Sequence, residues 1–226
     1  MRDDRAIGTV LVGRYRLTAL VLAAGGLFGV TWAFVGKSGA GMDREAFAVL
    51  ATTRGSLLAH TVEGLSIVVP TLVVLVTLAV TVLLARKREW IAGAVIVAGS
   101  VLTFVAAHLV KNAQQRPRPR GEIIHAGGYS FPSTDAALSV VVVAIAVAFG
   151  RLSRDSARRD QLVASSVLLV ALTGVLLIAV RVHYLTDVLG GWGLGTAVFA
   201  ACGLAACALE RVLREGASAD SSTPLP

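Results

Sequence analysis

An all-α bundle embedded in a membrane is the fold this sequence predicts, and three observations predict it. Of the 226 residues, 55% are hydrophobic and only 15% charged, with a mean hydropathy of +0.75. A water-soluble domain does not carry so few charges, so lipid must supply much of the solvent. The apolar residues gather into six stretches separated by polar loops. The basic residues, 21 against 14 acidic ones, lie scattered between those stretches. Such scatter fits loops at a bilayer surface and argues against a nucleic-acid-binding face.

The stretches run near Tyr15–Val35, Leu65–Ala85, Ile91–Val110, Ala136–Gly150, Leu162–Val180 and Val188–Leu209. A helical span needs about 20 apolar residues, and five of the six reach a spanning length. The fourth covers only about 22 Å at 1.5 Å per residue. It reads as a span with its outer end below the surface, the alternative being a buried core helix. The first has an apolar part longer than a signal-peptide core and no small-residue cleavage site after it, so a retained anchor is expected. Arg2, Arg5, Arg14, Arg16, Arg86, Lys87, Arg88, Arg151, Arg154, Arg158, Arg159, Arg211 and Arg214 fall in alternate loops. Basic residues close to spans stay in the cytoplasm, which puts both termini inside a multi-pass protein of the plasma (inner) membrane. Lys37, Arg44, Arg54, Lys111, Arg116, Arg118, Arg120 and Arg181 then face outward. Residues 1–214 read as one domain and Glu215–Pro226 as a disordered cytoplasmic tail. Cys202 and Cys207 sit in an apolar run without metal-ligand spacing, and no metal or other cofactor is expected.

Three polar clusters share the outer side: Lys111–Arg120, Ser130–Asp135 and Arg181–Asp187. Lys111, Arg118 and Arg181 offer cationic donors. Ser133 and Thr134 offer hydroxyls and free backbone N–H groups where the fourth helix begins. Together they would cradle a phosphate. The competing readings are a solvated loop against lipid headgroups for Arg116–Arg120, and plain helix capping for Ser133, Thr134 and Asp135. His183 and Asp187, four residues apart, share a helix face or meet at a helix start. The carboxylate would hold one ring nitrogen protonated and leave the other free to attack phosphorus, unless the pair only caps a helix. Of the other histidines, His60 reads as interfacial, His108 as packed within the membrane and His125 as a loop histidine, with assistance to the site as its alternative role.

Several of these residues stand in motif order. Lys111, Arg118 and Pro119 match K-x6-R-P; Pro132-Ser133-Thr134-Asp135 stands where P-S-G-H is expected; His183 and Asp187 close S-R-x5-H-x3-D. The chain therefore resembles the type 2 phosphatidic acid phosphatases, or lipid phosphate phosphatases, which share their site with vanadium haloperoxidases. The resemblance implies a six-transmembrane-helix bundle with the site at the extracytoplasmic helix ends. It also implies a histidine nucleophile, a phosphohistidine intermediate and hydrolysis without a metal. Two positions depart from the pattern. The histidine that protonates the leaving oxygen is Asp135 here, and the phosphate-binding arginine is Leu177. Beside Lys111 and Arg118, Asp135 is expected to be ionised and a poor acid, while Arg181, four residues after Leu177, is expected to reach back to the phosphate.

Two functions follow. One is a lipid phosphatase acting on phosphatidate or a polyprenyl diphosphate such as undecaprenyl diphosphate, with the diphosphate favoured because its leaving group departs without a proton. The other is a degenerate member that binds or transports a lipid phosphate without turnover. The partners expected are that lipid and the bilayer, with no nucleic acid; the oligomeric state is open.

Overall fold

The computed structural model describes residues 2–35, 40–53, 55–153 and 155–220, and within them all side chains except those of 2–12, 40, 65–70 and 216–220. Lys37, Arg54, Arg154 and the tail beyond Asp220 lie outside the described residues, as do the side chains of Arg2 and Arg5. All regular structure among the described residues is helical: α1 (Arg2–Val35), α2 (Ala40–Leu50), α3 (Leu57–Arg86), α4 (Trp90–Gln114), α5 (Thr134–Leu152), α6 (Ser156–Ala179) and α7 (Leu185–Asp220).

Local chemistry sets the helix ends. Ser56 starts α3 by accepting from Ala59 N at 3.1 Å. Asp155 starts α6 by accepting from Ala157 N at 2.9 Å, and Ser133 starts α5 by accepting from Ala136 N at 3.3 Å. Each is the side-chain oxygen that an orphan helix-start N–H requires. At the far end of α4, Gln115 adopts a left-handed conformation with φ 48°, and the Arg116-Pro117 pair that follows resists helical continuation.

Among the described residues, five helices are long and apolar enough to cross a membrane: Gly13–Val35, Trp90–Gln114, Thr134–Leu152, Ser156–Ala179 and Leu185–Glu215. The fourth predicted stretch is longer than its apolar run, 19 residues in all, because the cap at Ser133 and the Arg151-Leu152 end extend it. The predicted span at Leu65–Ala85 falls within α3, whose described apolar part is the shorter Thr71–Arg86; Leu65 to Pro70 are among the undescribed side chains. Two further differences concern elements. The last helix runs to Asp220, past Glu215 where the sequence suggests a disordered tail. The short helix α2 has no counterpart among the predicted stretches, since its apolar residues are too few to stand out. It buries Asp43 at 2% exposure and packs Ala46, Phe47 and Leu50 against the buried cluster of Ala136, Ile178 and Val188.

Helix α7 is the hub, packing against α1, α5 and α4. Glycines let it approach closely. A Cβ on Gly191 would lie 2.5 Å from the oxygen of Ser133, the cap of α5, and one on Gly195 would collide with Ala137 O within it. A Cβ on Gly193 would meet Ala24 O and Phe28 N of α1, each at 2.9 Å. Gly191 and Gly195, four apart, form the small-residue face that brings two membrane helices into backbone contact. Leu72, Leu75, Leu168 and Leu169 are more than half exposed on the perimeter, as expected where lipid is the solvent.

Candidate functional site

Where α4 ends and α5 and α7 begin, a cleft of about 370 Å³ opens among His108, Lys111, Asn112, Arg118, Gly127, Gly128, Tyr129, Thr134, Asp135 and His183. Its walls come from distant parts of the chain, and backbone bonds lock them. Ser133 N donates to Asp187 O at 3.0 Å, joining the start of α5 to the start of α7; Ser130 N donates to Arg116 O at 2.8 Å, and Ile123 N to Val180 O at 3.0 Å. Phe131, fully buried, stacks on Phe28 with ring centroids 6.0 Å apart, pinning the loop before α5 to α1.

Both cations of the cleft are held by carbonyl oxygens. Lys111 Nζ donates to Tyr129 O at 2.6 Å. Arg118 Nη2 donates to Gly127 O at 2.8 Å, and its Nη1 to Val182 O at 2.9 Å. Carbonyl dipoles orient these groups without neutralising them, so their charge remains available to an anion. On the opposite wall, the Thr134 hydroxyl is buried with no partner. An orphaned buried hydroxyl at a helix start is a donor awaiting an acceptor. Ser133 is fully buried and behind the wall, its oxygen spent on the cap.

His183 is 1% exposed and precedes α7 rather than belonging to it. Arg118 Nη1 lies 3.3 Å from its Nε2. A guanidinium only donates, so this contact requires the lone pair on Nε2 and the proton on Nδ1. Nδ1 faces Asp187 Oδ2 at 3.6 Å, an ion-pair separation longer than a formed hydrogen bond, so the nitrogen has no hydrogen-bond partner. Burial, the largest influence, pushes the imidazole pKa below 6.5; the positive charges of Arg118 and Lys111 add to this and Asp187 opposes it. The net effect keeps the ring neutral, the form that attacks an electrophile.

Asp187 is fixed from behind by Arg116. Arg116 Nη1 donates to Asp187 Oδ1 at 2.5 Å and to Thr186 Oγ1 at 2.7 Å. Its Nη2 donates to Asp43 Oδ2 at 2.8 Å, and its guanidinium carbon lies 4.0 Å from the centroid of the Tyr184 ring. The Arg116 side chain is 11% exposed, so the headgroup-contact reading fails for this residue. Tyr184 N donates to the other Asp187 oxygen at 2.9 Å. A buried guanidinium between two carboxylates, each further hydrogen-bonded, is the arrangement in which buried charges are tolerated.

The structure thus gathers Lys111, Arg118, Thr134, Asp135 and His183 around one cleft, with Ser133 and Asp187 directly behind. Asp135 is exposed at its edge. Arg181 is not brought there. Helix α6 stops at Ala179, and Arg181 turns the chain with φ 57°, a conformation residues other than glycine seldom adopt. Its guanidinium carbon lies 5.7 Å from the centroid of Phe47, so it shares no helical face with Leu177, itself packed in the apolar cluster of Ile178 and Val188. His125 is 91% exposed and pairs with Glu122 at 3.1 Å, away from the cleft lining. His108, expected to be packed in the membrane, is exposed and borders the cleft. Three residues before Lys111 on one helix, it carried that signal in its spacing.

A family model described as the PAP2 superfamily matches residues 21–207. A solved structure, described as a transmembrane PAP2-type phosphatidylglycerolphosphate phosphatase from Bacillus subtilis, is similar with a TM-score of 0.65 and 21% identity. The similarity covers 84% of this chain and 94% of that one. No curated protein matches.

Proposed function

Because the chain belongs to the PAP2 superfamily, we propose that it is a membrane lipid phosphatase whose nucleophile is His183. The observation that carries this reading is the 3.3 Å approach of Arg118 Nη1 to His183 Nε2 at a cleft that Lys111 also lines. A lipid phosphate entering the cleft competes for Arg118 and frees Nε2. Lys111, Arg118, Thr134 and the N–H groups at the start of α5 then bind the phosphoryl oxygens. Nε2 attacks phosphorus, Asp187 stabilises the charge that develops on the ring, and water hydrolyses the phosphohistidine. Hydrolysis by this route covers phosphatidate and polyprenyl diphosphates as substrate classes. The reading also takes α3 as a sixth span, both termini as cytoplasmic and the cleft as outward-facing, on the distribution of basic loops.

The test is phosphate release by the purified protein from phosphatidate and from a polyprenyl diphosphate. Turnover of either, abolished by His183→Ala, is expected. Vanadate binding is expected to weaken by about 2–5 kcal/mol in Lys111→Ala and in Arg118→Ala, and to be unaffected by Arg181→Ala. The non-catalytic reading has specific support in Leu177, which leaves one phosphate-binding position apolar. Tight vanadate binding with no release from either lipid would establish it.

A further inference from the structure

We infer that His108 is the proton donor to the leaving oxygen of a lipid phosphate monoester. The inference rests on the phosphatase reading above and names a residue that reading does not use. A monoester expels an alkoxide, whose conjugate acid has a pKa near that of water, about 15.7, so a positioned acid is needed in the transition state. The donor must stand on the lipid side of the phosphate, because the lipid tail stays in the bilayer. His108 meets that condition on whichever side of the membrane the cleft opens. It lies on α4 three residues before Lys111, hence about 4.5 Å nearer the middle of the span, and both border the cleft.

Its ring is prepared for the task. Nδ1 lies 2.9 Å from Phe104 O; a carbonyl only accepts, so Nδ1 carries a proton and Nε2 is the nitrogen that gains and loses one. Phe104 holds the ring at a centroid separation of 4.1 Å. The charged and titratable groups sharing the cleft are Lys111 on the same helix, Asp135 on α5, Arg118 and Tyr129 on the loop, and His183. Lys111 and Arg118 are committed to carbonyls and the phosphate, His183 is the nucleophile, and Asp135 is exposed at the edge.

The step balances as follows. His183 Nε2 forms the N–P bond while the P–O bond to the lipid breaks; that electron pair goes to the lipid oxygen, which takes the proton from His108 Nε2. Water then attacks phosphorus, the N–P electrons return to His183, and His108 recovers the proton the water loses. The products are lipid alcohol and phosphate.

The experiment compares His108→Gln with wild type on phosphatidate and on a polyprenyl diphosphate, whose phosphate leaving group needs no proton. The ratio of monoester to diphosphate turnover is expected to fall about 100-fold, the scale of general-acid help. Adding Asp135→His should recover part of the ratio, and imidazole should restore monoester cleavage to His108→Ala. An unchanged ratio in His108→Gln, or no imidazole rescue of His108→Ala, overturns the role. Wild-type protein that releases phosphate from neither lipid overturns the phosphatase reading, and the donor with it.

Discussion

His183 and Arg116 show how burial turns ordinary side chains into parts of a site. Burial outweighs Asp187 and keeps His183 neutral. Its pKa is lowered, so the nucleophilic form is complete above 6.5 and is lost only as pH falls through the lower folded value. The acid limb of kcat/KM is therefore expected below pH 6.5. Asp187→Asn removes the influence that raises the pKa, and is expected to move that limb lower still while reducing the rate; a pH series on both proteins checks this. Arg116 neutralises two carboxylates that are 3% and 0% exposed at their side chains. Arg116→Met leaves Asp43 and Asp187 buried without a counter-charge, with an expected loss of about 3–5 kcal/mol. Thermal unfolding in detergent should show it, and Arg116→Lys should fall between, since one ammonium does not reproduce the two-sided fork.

Between elements, the decisive contact is α7 on α5. The bond from Ser133 N to Asp187 O joins the start of one helix, where phosphate binding is proposed, to the carboxylate behind His183 at the start of the other. That join exists only while Gly191 and Gly195 keep the backbones close. Gly191→Ala places a methyl 2.5 Å from a backbone oxygen that has no rotamer with which to escape. The expected cost is about 1–3 kcal/mol of stability, with weaker vanadate binding because α5 is displaced. Gly25→Ala, where nothing lies within 4 Å, is the matched control. Equal unfolding midpoints and vanadate affinities for the two variants would contradict this account of the interface.

For the molecule as a whole, orientation decides which compartment the cleft serves. Basic loops alternate along the chain, and the orientation proposed from them turns the loop carrying Gly128 outward. Gly128 is exposed at φ 72°, on the rim of the cleft. Gly128→Cys is expected to react with an impermeant thiol reagent in intact cells, in a background with Cys202 and Cys207 replaced. Reaction only after lysis would place the cleft inside.

The sequence by itself determined what depends on neighbours along the chain: the helical membrane class, most of the spans, and the motif residues Lys111, Arg118, His183 and Asp187. Apolar run length and fixed spacing are local properties, and they survive any packing. Only the tertiary structure decided the rest. Arg116 meets Asp43 across 73 positions, a pairing no local spacing encodes, and α2 is docked by that pairing and by the packing of Ala46, Phe47 and Leu50. Arg181 shares a helical period with Leu177 on paper, yet α6 ends at Ala179 and the chain turns away. His108 reads as one more residue in an apolar run until the loop residues Gly127–Tyr129 and the start of α5 join it in lining a cleft. Which side chains face a cleft depends on where helices stop and how closely they approach, and here glycines on α7 set that approach.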